Sequence, residues 1–328
     1  MRVPGTGLRP MGVGELADRC FALYRRQFLA YFGLAALFNL PLQGVILYLQ
    51  AQAGLELNRG QPALQVISAA ISWGWLLLAY AFYFLVVYPA LEGAVVYMAL
   101  RAATGEPASP GVASRFALRR LGTLSITALL WGLASTVAAV PVLVIGFVLT
   151  FIGLFAGLLA GGASFGATGS AVGALVALVA MSLGLLVAVS FVGVMGRLFT
   201  PVVLAEGSGY VTAIARSWGL VWRNWWRTFA VTALLISLSL LVTVALQSSL
   251  AIFNALSPSR WWVLAITGVS ALLGTLLLPL QQIGVALLYL DLRCRREGLD
   301  IEVGARGLAA VLPRLGAGAT PLPGVRLP

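Results

Sequence analysis

Three times along this chain an arginine- and aromatic-rich amphipathic stretch runs straight into a long apolar segment: at Asp18 to Phe28, Ala113 to Leu124 and Ala215 to Phe229. About 20 mostly apolar residues, rising about 1.5 Å each as a helix, cross the hydrocarbon core of a bilayer. Segments of that kind are Phe28 to Leu49, Val66 to Tyr88 with a pattern continuing past Pro89 toward Ala102, Leu121 to about Leu159, Ala171 to Leu204, Phe229 to Phe253 and Trp261 to Leu290. With 60% hydrophobic and 9% charged residues, the chain cannot clothe a soluble globule in polar side chains. The bilayer is the expected solvent.

The stretch Leu121 to Leu159 holds either one long bent helix or two short ones broken at Pro141. Parity decides between them. The three basic stretches resemble one another and belong on one side, which demands an even number of crossings between Arg120 and Arg216. Two crossings fit, one on each side of the Gly-rich run Gly161 to Gly173, with Pro141 as a kink that neighbouring helices tolerate. The expected fold is therefore an all-α, polytopic transmembrane bundle of six spans, arranged as three repeated hairpins each preceded by an amphipathic interfacial helix. It forms a single membrane domain over 1–302, with hairpins at about 14–105, 109–206 and 208–300, and a flexible cytoplasmic tail over 303–328.

Short cytoplasmic loops carry excess Arg and Lys. All but two of the 21 basic residues fall on one side of the six spans, the exceptions being Arg59 and Arg260. Both termini are thus expected in the cytoplasm of a multi-pass protein of the cell (inner) membrane. No signal peptide is expected, because the first apolar run starts only at Phe28. The net charge of +11 fits membrane edges better than a nucleic-acid patch, because the arginines are spread along those edges. Nucleic acid is not an expected partner; membrane lipids are, with a protein partner in the membrane or cytoplasm as a further option.

The repeats align residue by residue. At an offset of 197, Arg19, Phe21, Leu23, Arg26 and Phe28 correspond to Arg216, Trp218, Leu220, Arg223 and Trp225. The middle copy keeps mainly Arg119 and Arg120 against Arg25 and Arg26. Val211, Ile214, Trp218, Val221 and Trp225 recur at three- and four-residue spacing, which places them on one helical face. Ser109 followed by Pro110, and Ser208, read as helix starts. Candidate lipid-headgroup contacts are Arg19, Arg25, Arg26, Arg119, Arg120, Arg216, Arg223, Arg227, Trp222, Trp225 and Trp226, since arginines reach phosphates while indoles sit at the headgroup boundary. Simple topological anchoring explains the same residues. At an offset of 192, Tyr97, Leu100 and Arg101 match Tyr289, Leu292 and Arg293.

Charges inside spans are costly and are usually paired or wet. Glu92 lies nine residues before Arg101, and Arg197 nine before Glu206, so each is expected about 13 Å inward from its edge. A Glu92 to Arg197 contact would neutralise both and tie two hairpins; the alternative is that one or both snorkel to the interface. Gln281 and Gln282, just after Pro279, supply polar groups from the third hairpin. These four form a candidate intramembrane polar cluster. Asp291 is expected near the edge, paired with Arg293. Gly153, Gly157 and Gly161 repeat at four-residue spacing, which permits close helix packing or a re-entrant segment. Cys20 and Cys294 read as small packing residues.

Catalytic signatures are missing from the sequence. There is no histidine, no phosphate loop with Lys, no zinc spacing and no nucleophile set, so neither cofactor, metal nor enzyme activity is expected. The segments GELADRCFALYRRQF at Gly14 to Phe28, AEGSGYVTAIARSWGLVWRNWWRTF at Ala205 to Phe229, and YLDLRCRREGLDIE at Tyr289 to Glu302 resemble bacterial multi-pass proteins of the glycerophosphoryl diester phosphodiesterase membrane-domain type. The resemblance implies a six-helix membrane module, sometimes fused to or encoded beside an enzyme, and supplies no catalytic residues. The soluble phosphodiesterase domain needs histidines and acidic metal ligands on a barrel, and this chain has no histidine and no length left for a barrel. Two functions remain: a non-catalytic scaffold or accessory subunit contacting anionic lipids, and a transporter or lipid-handling permease with a polar site around Glu92 and Arg197.

Overall fold

The computed structural model describes residues 10–56, 62–106, 108–160, 190–256, 260–299 and 301, with scattered positions between 175 and 187. Every element among the described residues is helical: α1 (Val13–Arg26), α2 (Phe28–Glu56), α3 (Pro62–Phe82), a π-helical turn (Tyr83–Val87), α4 (Tyr88–Ala103), α5 (Pro110–Arg119), α6 (Leu121–Ala160), α7 (Phe199–Glu206), α8 (Tyr210–Trp222), α9 (Trp225–Leu256) and α10 (Arg260–Glu297). Five stretches are long and apolar enough to cross a membrane: Phe28–Gln50, Ala70–Ala103, Leu121–Val148, Trp225–Phe253 and Leu264–Glu297. The segment Ser190–Glu206 adds a sixth only if it is taken together with α8, to which it is bent by 118°. The chain is a multi-pass membrane protein on that basis. Much of the first half of the expected span Ala171 to Leu204 lies outside the described residues, as do Arg59, the Gly161 to Gly173 run, the packing of Gly153 and Gly157, and the tail from 302 on.

The recurrent sequence unit has a recurrent shape. A short amphipathic helix ends within one or two residues of a long apolar one at Gln27, at Arg120 and at Arg223-Asn224. Each junction leaves helical geometry only briefly, with Gln27 at φ −127°, ψ 37° and Arg120 at φ −101°, ψ 5°. The chain therefore passes from one helix to the next without a loop.

Helix starts follow local chemistry, with one correction. Pro110 begins α5 at a position where its missing N–H costs nothing, behind Ser109 in extended geometry. The third amphipathic helix starts behind Gly209, not Ser208: Gly207, in left-handed geometry at φ 68°, closes α7, and Gly209 takes the extended cap position. The buried stripe of α8 runs beside the apolar face that the spacing marks and shares Val221 with it. Ala213, Ser217, Leu220 and Val221 pack inward, while Val211 and Trp218 are exposed. Apolar periodicity cannot separate a side facing protein from one facing lipid, because both are apolar.

The core is gathered at the end of the bundle near these junctions. Leu91, Val95 and Met98 of α4, Met195, Leu198 and Val202 beside them, and Ile283, Leu287 and Tyr289 of α10 are buried together. The C-terminal half of α10 runs through this cluster, and the helix as a whole touches α1, α2, α4, α7, α8 and α9. Gly284 lets it approach α9 closely; a Cβ there would meet Leu235 and would also touch the Sγ of Cys20. The Cys20 thiol is buried and its pKa is pushed up to about 12 by desolvation, with a backbone hydrogen bond working weakly against that. Cys20 and Cys294 are both buried.

Candidate functional site

Proline sets up the site by removing hydrogen bonds. A proline cannot donate to the carbonyl four residues earlier, so each one inside a helix frees a backbone oxygen. Ahead of Pro89 the helix widens into the π turn Tyr83–Val87, where the Tyr88 N–H bonds to the Tyr83 carbonyl instead of one residue later. Ahead of Pro201 the helix breaks outright: Gly196, Arg197 and Leu198 form a turn before α7 begins. Pro279 lies inside α10, three residues before Gln282.

The break at Gly196 to Leu198 is repaired from α8. Ser217 Oγ donates to the Met195 carbonyl at 2.7 Å and accepts the Leu198 N–H at 3.3 Å. Broken helices persist at membrane depth only when freed backbone groups find partners in this way. Trp131 of α6 lies against Gly196 so closely that no Cβ would fit.

These three irregular places converge on one buried polar cluster. Glu92 of α4 is 6% exposed and accepts a hydrogen bond from Thr200, and the charge of the Arg197 guanidinium acts on its carboxylate. Arg197 also donates to the Tyr88 hydroxyl, which takes a second hydrogen bond from Gln282 Nε2 at 3.0 Å. Glu92, Arg197 and Gln282 thus share one interior site contributed by α4, the segment before α7, and α10. Gln281 does not join them; it turns away to donate to Ser239 Oγ on α9 at 2.7 Å. Adjacent residues point to different sides of a helix, so only one of the two glutamines can face the cluster. Tyr88 and Thr200, which the sequence reading does not single out, complete the site. Their signal was available in position: Tyr88 precedes Glu92 by one helical turn, and Thr200 follows Arg197 by three residues.

Arg197 has unused capacity. Its Nε is buried with no hydrogen-bond partner. The side chain lines a cavity of about 470 Å3 between the segment before α7 and α9, together with Val194, Phe229, Thr232 and Ile236. The cavity extends along α9 from Phe229 to Leu240, about 16 Å at the helical rise. Ile236 and Leu240, on its rim, are exposed on the apolar outside of the bundle.

Nearer the junctions the carboxylates are engaged. Asp291 is fully buried and meets Arg227 at 2.8 Å and Arg295 at 3.2 Å, while accepting the Met11 N–H at 2.7 Å. Its expected partner Arg293 bonds Glu297 at 2.9 Å instead. Residues two apart lie on different faces of a helix, whereas those four apart are neighbours. Glu206 accepts from Arg216 at 3.0 Å and from the Tyr289 hydroxyl at 2.9 Å, and Arg216 also pairs with Glu297. Tyr24, at the end of α1, donates to the Leu276 carbonyl at 2.6 Å, and burial pushes its pKa up to about 12.

The eleven residues proposed to touch headgroups therefore divide. Arg216 and Arg227 are committed to protein carboxylates, Arg19 contacts the Met11 sulfur at 3.5 Å, and Arg120 lies 5.8 Å from the Phe116 ring. Trp225 is tucked in, stacked on Phe229. Arg25, Arg26, Arg119 and Arg223 are exposed, as are Trp222 and Trp226. No group of three or more His, Cys, Asp or Glu side chains able to hold a metal ion occurs among the described residues. No family model, no curated protein and no solved structure matches the chain.

Proposed function

We propose that this is a lipid-handling membrane protein, non-catalytic, that takes an anionic amphiphile from the bilayer into the cavity at Arg197. In this reading the chain has six crossings and its arginine-rich side faces the cytoplasm, which fits the resemblance to the phosphodiesterase-associated membrane modules. The observation that carries it is the guanidinium with a buried, unpartnered Nε at a cavity whose remaining walls are largely apolar. A buried donor left unmade costs about 1–3 kcal/mol, and more when charged, so an acceptor oxygen brought in by a ligand recovers that free energy. Tyr88 and Glu92 meet the guanidinium by hydrogen bond and by charge, Gln282 and Thr200 bond those two side chains in turn, and the apolar wall along α9 suits an acyl chain.

A second reading, a scaffold or accessory subunit that grips anionic lipid at its edge and meets a protein partner, draws support from exposed Arg25, Arg26, Arg119 and Arg223 beside the junctions. One experiment separates the two. The full chain is extracted with its lipids and analysed by native mass spectrometry, as wild type, as Arg197→Gln, and with Arg25, Arg26, Arg119 and Arg223 all changed to Gln. Lipid handling through the cavity predicts loss of a tightly held anionic species in Arg197→Gln alone. Retention in that variant, with loss in the fourfold variant, favours the scaffold.

A further inference from the structure

A second cavity has a different character. It holds about 330 Å3 between α2, the end of α3, α9 and α10. Asn39, Gln43 and Gln50 of α2 face Tyr80 of α3 and Thr267 and Ser270 of α10 across it, and no lining residue carries a charge. Asn39 and Gln50 are 11 and 22 residues beyond Phe28, so at the helical rise they lie about 16 Å and about 33 Å from the junction at Gln27. The cavity therefore runs from mid-membrane depth to the edge opposite the arginine-rich junctions. Gln50 and Tyr80 are exposed at that mouth, where the Gln50 amide donates to the Tyr80 hydroxyl at 3.1 Å.

The deep end is the informative one. Asn39 is 3% exposed and spends its amide N–H on Thr275 Oγ1 at 2.6 Å, which leaves its Oδ1 buried with no partner. Thr275 in turn donates to the Ala271 carbonyl at 2.7 Å and so cannot return a proton to Asn39. Gln43 bonds the Tyr83 hydroxyl, on the π turn. A row of amides and hydroxyls in hydrocarbon is expensive unless something polar meets it.

We propose that this cavity binds a small, uncharged, polyhydroxylated solute that arrives from the face opposite the arginine-rich junctions. Hydroxyl groups both donate and accept, as the Asn, Gln, Ser and Thr side chains lining the cavity do, and one hydroxyl proton satisfies Asn39 Oδ1. A charged solute finds no counter-ion here and pays its desolvation unaided. The volume lies at the lower end of the range of about 300–1,000 Å3 usual for small-molecule sites, which suits a monosaccharide or a cyclitol. The inference is independent of lipid handling at Arg197, because the two cavities share no lining residue.

Saturation-transfer NMR on the full chain in nanodiscs tests it, with glucose, myo-inositol and the anionic gluconate as probes. Glucose or myo-inositol should receive magnetisation and gluconate should not. Asn39→Leu should weaken the neutral signal by about fivefold or more, the worth of a hydrogen bond of about 1 kcal/mol, while Arg197→Gln leaves it in place. If Asn39→Leu does not fold, Gln43→Leu, which keeps the Asn39 to Thr275 bond, should weaken the signal in the same direction. No transfer to either neutral probe, equal transfer to gluconate, or an undiminished signal in folded Asn39 and Gln43 variants overturns the proposal.

Discussion

The two halves of α10 make an instructive pair. Between Leu280 and Cys294 almost every side chain is buried, including Gln282, Tyr289 and Asp291. Between Trp262 and Leu272 the helix exposes Trp262, Val269 and Leu272. In a water-soluble protein the polar half would be the outer one. Here the buried half carries the polar groups and the exposed half is the more uniformly apolar, because lipid accepts Val and Leu at no cost while Gln and Asp must find protein partners.

Substitutions at matched positions can break that contrast. The largest effect is expected from Asp291→Ala, which strands Arg227, Arg295 and the Met11 N–H together; loss of one side of a buried ion pair costs about 3–5 kcal/mol. Unfolding of the detergent-solubilised protein should register it as a large loss of thermal stability, and a near-wild-type Asp291→Ala would mean that the arginines are satisfied by water. Next come Ile283→Ala and Leu272→Ala. The first opens a hole in a filled core and should cost about 2–4 kcal/mol, whereas the second, already exposed, should cost less than about 0.5. Equal losses in the pair would erase the distinction between the halves. Gly284→Ala against Gly268→Ala is the subtler test. Leu235 occupies the space at Gly284, so about 1–3 kcal/mol is expected, while nothing lies within 4 Å at Gly268. The smallest effect is chemical: Cys20 is buried with its thiol pKa raised to about 12, so it stays unalkylated by maleimide at neutral pH in folded protein. Rapid labelling would show that α1 lifts off Gly284.

Much of this contrast was legible as sequence. The junctions between amphipathic and apolar helices fall where arginine and aromatic residues give way to uninterrupted apolar ones, and α6 continues through Pro141 as a single helix to Ala160. Glu92, Arg197, Gln281 and Gln282 stand out in the sequence because polar groups in hydrocarbon need partners. What could not be read was direction. Gln281 and Gln282 are equivalent by composition, and only the rotation of α10 sends one to Ser239 and the other to Tyr88. Val211 and Ser217 sit on one amphipathic helix, yet the hydroxyl faces the core because a backbone break waits there for it. That break arises from Pro201, four residues beyond the carbonyl it frees, and its repair comes from a different helix altogether.

Ser217 has a mechanical meaning. One hydroxyl on a helix lying at the edge of the bundle holds both broken ends of the chain beside Arg197, through the Met195 carbonyl and the Leu198 amide. It works as a rivet between the rim and the interior. If α8 slides or rolls, the rivet either drags the guanidinium along or shears, so the position of the deepest arginine is geared to whatever pushes on the rim.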